Sequence, residues 1–148
     1  MSRLGQIPIR VEPLAAPTPA AAIATGTIGA GVTAILFEIA AHLDRLADDG
    51  ESNAIDLRSL PMSPSDREAL VQALGSGEVA ITLQADGESI IRETSVPGVW
   101  WNEHRDRGGE LIAAFIEIAR VPAMLPVETD ELRRGACQLR LAIAGTAQ

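Results

Sequence analysis

Hydrophobic positions along this chain change period twice, and the changes mark its elements. Between Thr33 and Asp48, Ile35, Ile39, Leu43 and Leu46 recur at spacings of four, four and three, which makes one apolar stripe along a helix. Gly50 is a natural stop after it. Asn53 to Leu60 reads as a short extended segment. Ser63-Pro64-Ser65-Asp66 then combines an N-cap hydroxyl, a proline at the first helical position and an acid three residues on. The helix it opens is predicted to run to about Leu74 and end at Gly75. From Val79 the period falls to two, with Val79, Ile81 and Leu83 alternating with Ala80, Thr82 and Gln84 as in a half-buried strand.

Asp86-Gly87 predicts a two-residue hairpin turn, which puts Leu83 opposite Ile90 and Ile81 opposite Arg92. A second hairpin is predicted from Val99 to Arg105 and from Glu110 to Ala119, joined through Asp106-Arg107-Gly108-Gly109, with Pro97-Gly98 bending the chain before it. After Pro122 and Pro126 a last helix begins near Thr129, with Leu132, Ala136, Leu139 and Ile143 as its apolar face. The expected fold is α+β: a four-stranded antiparallel meander of two hairpins packed with about three helices. It occupies residues 25–148, behind an Ala/Pro-rich extended or mobile arm over residues 1–24.

Composition narrows the function classes. With 148 residues, 47% of them hydrophobic, the chain holds one domain with a real core. A formal net charge of −8 speaks against nucleic acid and against anionic membranes, both of which need clustered Lys and Arg. The uncharged run from Leu14 to Phe37 is broken by Pro17, Pro19, Gly26, Gly29 and Gly31, so it does not read as a membrane span. The single cysteine, Cys137, excludes an internal disulfide and reads as a small core residue in a soluble, cytoplasmic protein.

Candidate chemistry is sparse. Gly29-Ala30-Gly31-Val32-Thr33-Ala34 matches a dinucleotide fingerprint, but antiparallel hairpins are the wrong context for it. Glu38 and His42 stand one helical turn apart, a spacing usable by a metal, yet read as a solvated pair because His104 is the only other histidine. No catalytic set assembles, so neither enzyme activity nor a cofactor is expected. A nucleotide- or metal-binding protein using these two features is the alternative.

Trp100 and Trp101 stand out in a chain with four aromatic side chains. Strand alternation sends them to opposite faces. In the simplest register Trp101 lies opposite Ala114 with Val99, Ile112 and Ile116 on the core face. Trp100 then lies opposite Phe115, and with Leu111 and His104 it forms an apolar patch on the outer face suited to a protein partner. Arg92 and Glu93 straddle the two faces beside them and offer charge-assisted contacts.

Three stretches carry a resemblance. Leu57-Arg58-Ser59-Leu60-Pro61-Met62-Ser63-Pro64, Leu74-Gly75-Ser76-Gly77-Glu78-Val79 and Arg92-Glu93-Thr94-Ser95-Val96-Pro97-Gly98-Val99-Trp100-Trp101 resemble the C-terminal conserved region of HupH/HyaF-type hydrogenase expression proteins. The resemblance implies an accessory role, chaperone- or scaffold-like, in maturation of uptake nickel–iron hydrogenase. The implied partner is a hydrogenase subunit, the iron–sulfur small subunit foremost, with other maturation factors beside it. Arg92, Glu93, Thr94, Pro97, Gly98, Trp100 and Trp101 are the matching motif positions. Members of the family are longer, so a second copy supplying the missing surface, as a homodimer through the sheet or the last helix, is a further expectation. An interaction module unrelated to hydrogenase is the third reading.

Overall fold

The computed structural model describes residues 28–146. The expected arm over residues 1–24 lies outside the described residues. The elements, in chain order, are α1 (Ala30–Asp49), β1 (Asn53–Asp56), α2 (Pro64–Leu74), β2 (Ala80–Gln84), β3 (Glu88–Glu93), β4 (Val99–Arg105), β5 (Leu111–Ile118) and α3 (Thr129–Thr146).

The fold is α+β, but the sheet has five strands in the order β1-β5-β4-β3-β2, all antiparallel neighbours. The fifth strand corrects the four-stranded expectation. Asn53–Asp56 is only four residues long and holds one buried apolar side chain, Ile55, so its own pattern is too short to announce a strand. Pairing with the distant β5 makes it one, with Ile55 opposite Ile116.

Local chemistry closes α2 as anticipated. Asp66 N donates to Ser63 Oγ at 3.1 Å, and Ser63 N donates back to Asp66 Oδ2 at 3.0 Å. Such a cap is worth about 1 kcal/mol. Ser63 Oγ also donates to Asp66 Oδ2 at 2.7 Å, and this bond, with the one from Ser63 N, holds the Asp66 carboxyl below its ordinary pKa.

Both predicted hairpin registers are corrected. The β2–β3 connection is a three-residue loop, Ala85-Asp86-Gly87, so Leu83 faces Ser89 and Ile81 faces Ile91. Gly87 has φ 143°, and a Cβ there would come within 2.1 Å of Arg105 O, so only glycine fits the loop against the end of β4. Between β4 and β5 the loop grows around Asp106, whose Oδ1 accepts from Gly108 N at 2.8 Å and from Glu110 N at 2.9 Å. A bulge follows at His104/Arg105. The pairing slips by two residues, so Trp101 faces Ile116, Trp100 faces Glu117 and Phe115 faces Asn102. A slip of two keeps each tryptophan on its predicted face. The bulge moves Leu111 off the outer face and packs it against the core, and leaves Ile112 exposed.

The core lies between the inner face of the sheet and the first two helices. Val99, Trp101, Ala114, Ile116, Ile118 and Ile55 meet Val32, Ile35, Ile39 and Leu46 of α1, with Leu70 and Leu74 of α2. α3 differs from expectation: none of its residues is buried, and Cys137 on it is exposed rather than part of a core.

Candidate functional site

The Arg92–Trp101 segment is a strand, a turn and a second strand, and each motif residue can be assigned a position. Thr94 Oγ1 donates to Val99 O at 3.0 Å, and Val99 N donates to Val96 O at 3.1 Å, closing a turn with Pro97 and Gly98 at its corners. Gly98 has φ 82°, as the third residue of a Pro-Gly turn requires. Glu93 turns one carboxyl oxygen inward. Its Oε2 accepts from Glu78 N at 3.1 Å and Val79 N at 3.2 Å, which anchors the chain entering β2. That anchor needs close approach: a Cβ on Gly77 would lie 2.6 Å from Glu93 Cγ and 2.7 Å from Thr94 O. Ser95 adds a second tie by donating its Oγ and its N to Leu74 O, at 2.6 and 2.9 Å, across the C-terminus of α2.

Trp101 is in the core at 5% exposure, and its ring edge is polar. Its Nε1 donates to Glu103 Oε1 at 3.0 Å, and the Arg67 guanidinium sits 5.3 Å from the ring centroid. Glu103 is the hub. Arg67 Nη2 approaches its Oε1 at 3.0 Å and Arg92 Nη2 at 3.7 Å, while Arg105 Nη2 lies 3.4 Å from Oε2. Burial raises the Glu103 pKa. Hydrogen bonds from Trp101 and Arg67 and the charges of Arg67 and Arg92 outweigh that, so the carboxyl stays below its ordinary value. Arg92, with half its side chain exposed, is the member of this cluster most open to solvent. A cleft of about 100 Å³ opens beside it, lined by Val71, Ser76, Arg92, Glu93 and Trp101 among others. Thr94 also lines this cleft, while Pro97 and Gly98 border a separate hollow against Leu43 and Leu46 of α1.

Trp100 departs from expectation. It is 8% exposed, and its Nε1 donates to Ala119 O at 3.0 Å, so the predicted exposed patch around it does not exist. The chain leaving β5 turns back over this end of the outer face. Glu117, directly opposite Trp100, accepts from Ala123 N at 2.8 Å and from Asn102 Nδ2 at 2.9 Å, and Pro122 is fully buried. His104 and Phe115 lie further along this face, ring centroids 5.5 Å apart, with His104 Nδ1 2.6 Å from Ser89 Oγ. They are not brought to the Arg92 cleft.

The alternative features have plain geometry. Gly29 is the N-cap of α1 and Gly31 already lies inside the helix, in a fold whose described strands are all antiparallel. Asp66 Oδ1 stands 3.5 Å from the position of a Cβ on Gly29, an acid where a phosphate would need to approach. Glu38 and His42 are 3.7 Å apart, but His42 is buried on the core side of α1 rather than solvated. Among the described residues no group of three His, Cys, Asp or Glu could hold a metal ion, and no helix is long and apolar enough to cross a membrane. Sequence reasoning missed Arg67, Glu103 and Val71. Nothing local announces them, because Arg67 and Glu103 meet across 36 residues of chain.

The fold and this surface define a small α+β domain whose strand ends are tied to helix ends by side-chain hydrogen bonds around one exposed arginine. The chain belongs to the HupH hydrogenase expression protein family: the description "HupH hydrogenase expression protein, C-terminal conserved region" matches residues 30–145. Among curated relatives, the hydrogenase expression/formation protein HupH of Rhizobium leguminosarum bv. viciae is 27% identical over 140 residues, covering 93% of this chain and 49% of the relative. The hydrogenase expression/formation protein HoxQ of Azotobacter vinelandii is 30% identical over 88 residues, covering 60% of this chain and 31% of the relative. The chain thus spans half or less of the length of these relatives. A solved structure, the hydrogenase expression protein HupH from Thiobacillus denitrificans, superposes with a TM-score of 0.75 at 41% identity, covering 77% of this chain and 95% of that one.

Proposed function

We propose that this chain is a non-catalytic accessory protein in the formation of uptake nickel–iron hydrogenase, binding a hydrogenase subunit in the cytoplasm, the iron–sulfur small subunit foremost. Family membership supports the hydrogenase role. The observation that carries the binding reading is the Arg92 cleft. Family-motif positions Arg92, Glu93, Thr94 and Trp101 line one pocket, and most of their polar atoms are engaged within the domain. Arg92 and the 44%-exposed Val71 remain for a partner. An exposed arginine beside an apolar side chain over a buried tryptophan suits an extended segment carrying one acid and one apolar residue. The reading moves the contact from Trp100, which is buried, to Arg92 and Val71.

The test is affinity capture from cells that make the hydrogenase, comparing wild type with Arg92→Glu and Val71→Asp. Both side chains are exposed enough for the domain to stay folded, which circular dichroism would verify. Co-purification of the small subunit with wild type, reduced at least about tenfold by either change, is the expected result. Equal capture by folded variants would sink the assignment of the cleft.

A further inference from the structure

α3 is an amphipathic helix with its apolar side in water. Leu132, Leu139 and Ile143 are 60%, 64% and 62% exposed, and Leu141 beside them is 68% exposed. With Ala136, the stripe Leu132-Ala136-Leu139-Ile143 repeats at four, three and four, the seam of a helix that packs on a surface. The chain leading to the helix is tied down as far as Leu125. Ala119 O, Ala123 N and Leu125 N are all hydrogen-bonded, and Pro126 follows.

A matching surface lies open on the sheet. Two shallow hollows of about 570 and 490 Å³ meet at Ala54 and Phe115 on the outer face of β1 and β5. Together they form a trough floored by Ala54, Phe115 and Ala123, with the exposed Ile112 and Met124 at its ends. Its length is that of β5, eight residues or about 27 Å. The 18 residues of α3 also span about 27 Å.

We infer that α3 of one copy docks in the β1–β5 trough of a second copy of this chain, reciprocally, to form a closed twofold dimer. Charge favours this occupant. Residues 28–128 carry seven arginines and seventeen acids, a net −10, whereas α3 carries three arginines and two acids, a net +1. Arg133 and Arg134 pair with Asp130 and Glu131 on the helix itself, at 3.0 and 3.6 Å, which leaves Arg140 to approach an acidic body, and Asp56 stands at the rim of the trough. Arg58, at the same rim, is turned onto Ile112 O. Area favours reciprocity. One docked helix has a footprint of about 27 by 10 Å, so with the trough it covers roughly 540 Å². Two such contacts reach about 1,100 Å², the scale of a specific interface, and one does not. A reciprocal exchange leaves no free copy of either surface, so assembly stops at two.

Sedimentation equilibrium on the full chain tests this with two variants that touch different halves of the contact. Leu139→Asp/Ile143→Asp alters only the helix, and Ala54→Arg only the trough; all three positions are exposed, so the fold is kept. A wild-type dimer is expected, with each variant dissociating at least about 100-fold more readily. A mixture of the two variants is expected to stay as dissociated as either alone, because its one intact helix–trough pair covers only roughly 540 Å². A monomeric wild type would overturn the inference. So would an Ala54→Arg chain that dimerises like wild type, since that result places the contact between two α3 helices. Hydrogenase-subunit capture is read separately, through Arg92.

Discussion

On the inner face of the sheet, Val99, Ile116 and Ile118 are completely shut off from solvent by two helices, and the contacts are mostly apolar. On the outer face the equivalent positions of the same strands are Trp100, Asn102, Glu117 and Phe115, and what holds them is largely hydrogen bonding to irregular chain. The two adjacent tryptophans sample both regimes. Each is nearly buried, yet Trp101 belongs to the core cluster while Trp100 is pinned by one carbonyl of the segment leaving β5. Burial alone therefore does not separate structure from contact surface in this domain. The outer face is covered over β4 at Trp100 and open over the edge strand β1 at Ala54, and the opening is where an unpartnered helix fits.

The largest effect should come from the inner face. Trp101→Ala removes an aromatic side chain that touches both helices' side of the core and the Glu103 cluster, and should cost about 3–5 kcal/mol of unfolding free energy. Urea titration followed by circular dichroism measures it. A loss under 1 kcal/mol would mean the inner face is no better packed than the outer one, and the contrast would fail.

Glu117→Ala addresses the outer face and should cost less, roughly 2 kcal/mol, by leaving Asn102 Nδ2 and Ala123 N without their acceptor. Asn102 Oδ1 is already buried without a partner among the described residues, so the amide has little to fall back on. Hydrogen exchange should show the Ala123 amide losing protection while the β4–β5 ladder keeps it. If the ladder opens together with Ala123, the two faces unfold as one unit.

How far the sequence could be read follows the same division. Ser63-Pro64-Ser65-Asp66 announced α2 because its cap is made of neighbours, and the first hairpin was visible in the alternation of β2 and the Asp86-Gly87 turn after it. Registers were not, because loop length is decided by contacts such as Gly87 against Arg105 O. The fate of Trp100 was hidden because its cover, Ala119 to Leu125, has no period to read. The stripe on α3 was legible as a stripe, but a stripe states only that a surface must meet it. The Arg92 cleft was half legible: its strand residues sit in a recognisable motif, whereas Val71 and Arg67 come from a helix that only the fold brings near.

The smallest expected effect lies where the inner face becomes polar. Glu103 is shared by Trp101, Arg67, Arg92 and Arg105, and its folded pKa is below 4.5. The unfolded chain, with its ordinary carboxyl, therefore takes up this proton at higher pH than the folded chain does. The contribution of Glu103 to stability is full above pH 4.5 and is lost as the pH falls through the lower, folded value. Glu103→Gln keeps an acceptor for Trp101 Nε1 but removes the titration. Because the arginines around it are part-exposed, its cost at neutral pH should be on the order of 1 kcal/mol or less. The difference from wild type should shrink as the pH drops below 4.5, where wild type becomes neutral at this position too. Unfolding free energies measured from pH 7 to pH 3 resolve the trend. A difference that grows towards acid would mean the cluster is held by something other than the Glu103 charge, and the inner face would then be uniformly a matter of packing.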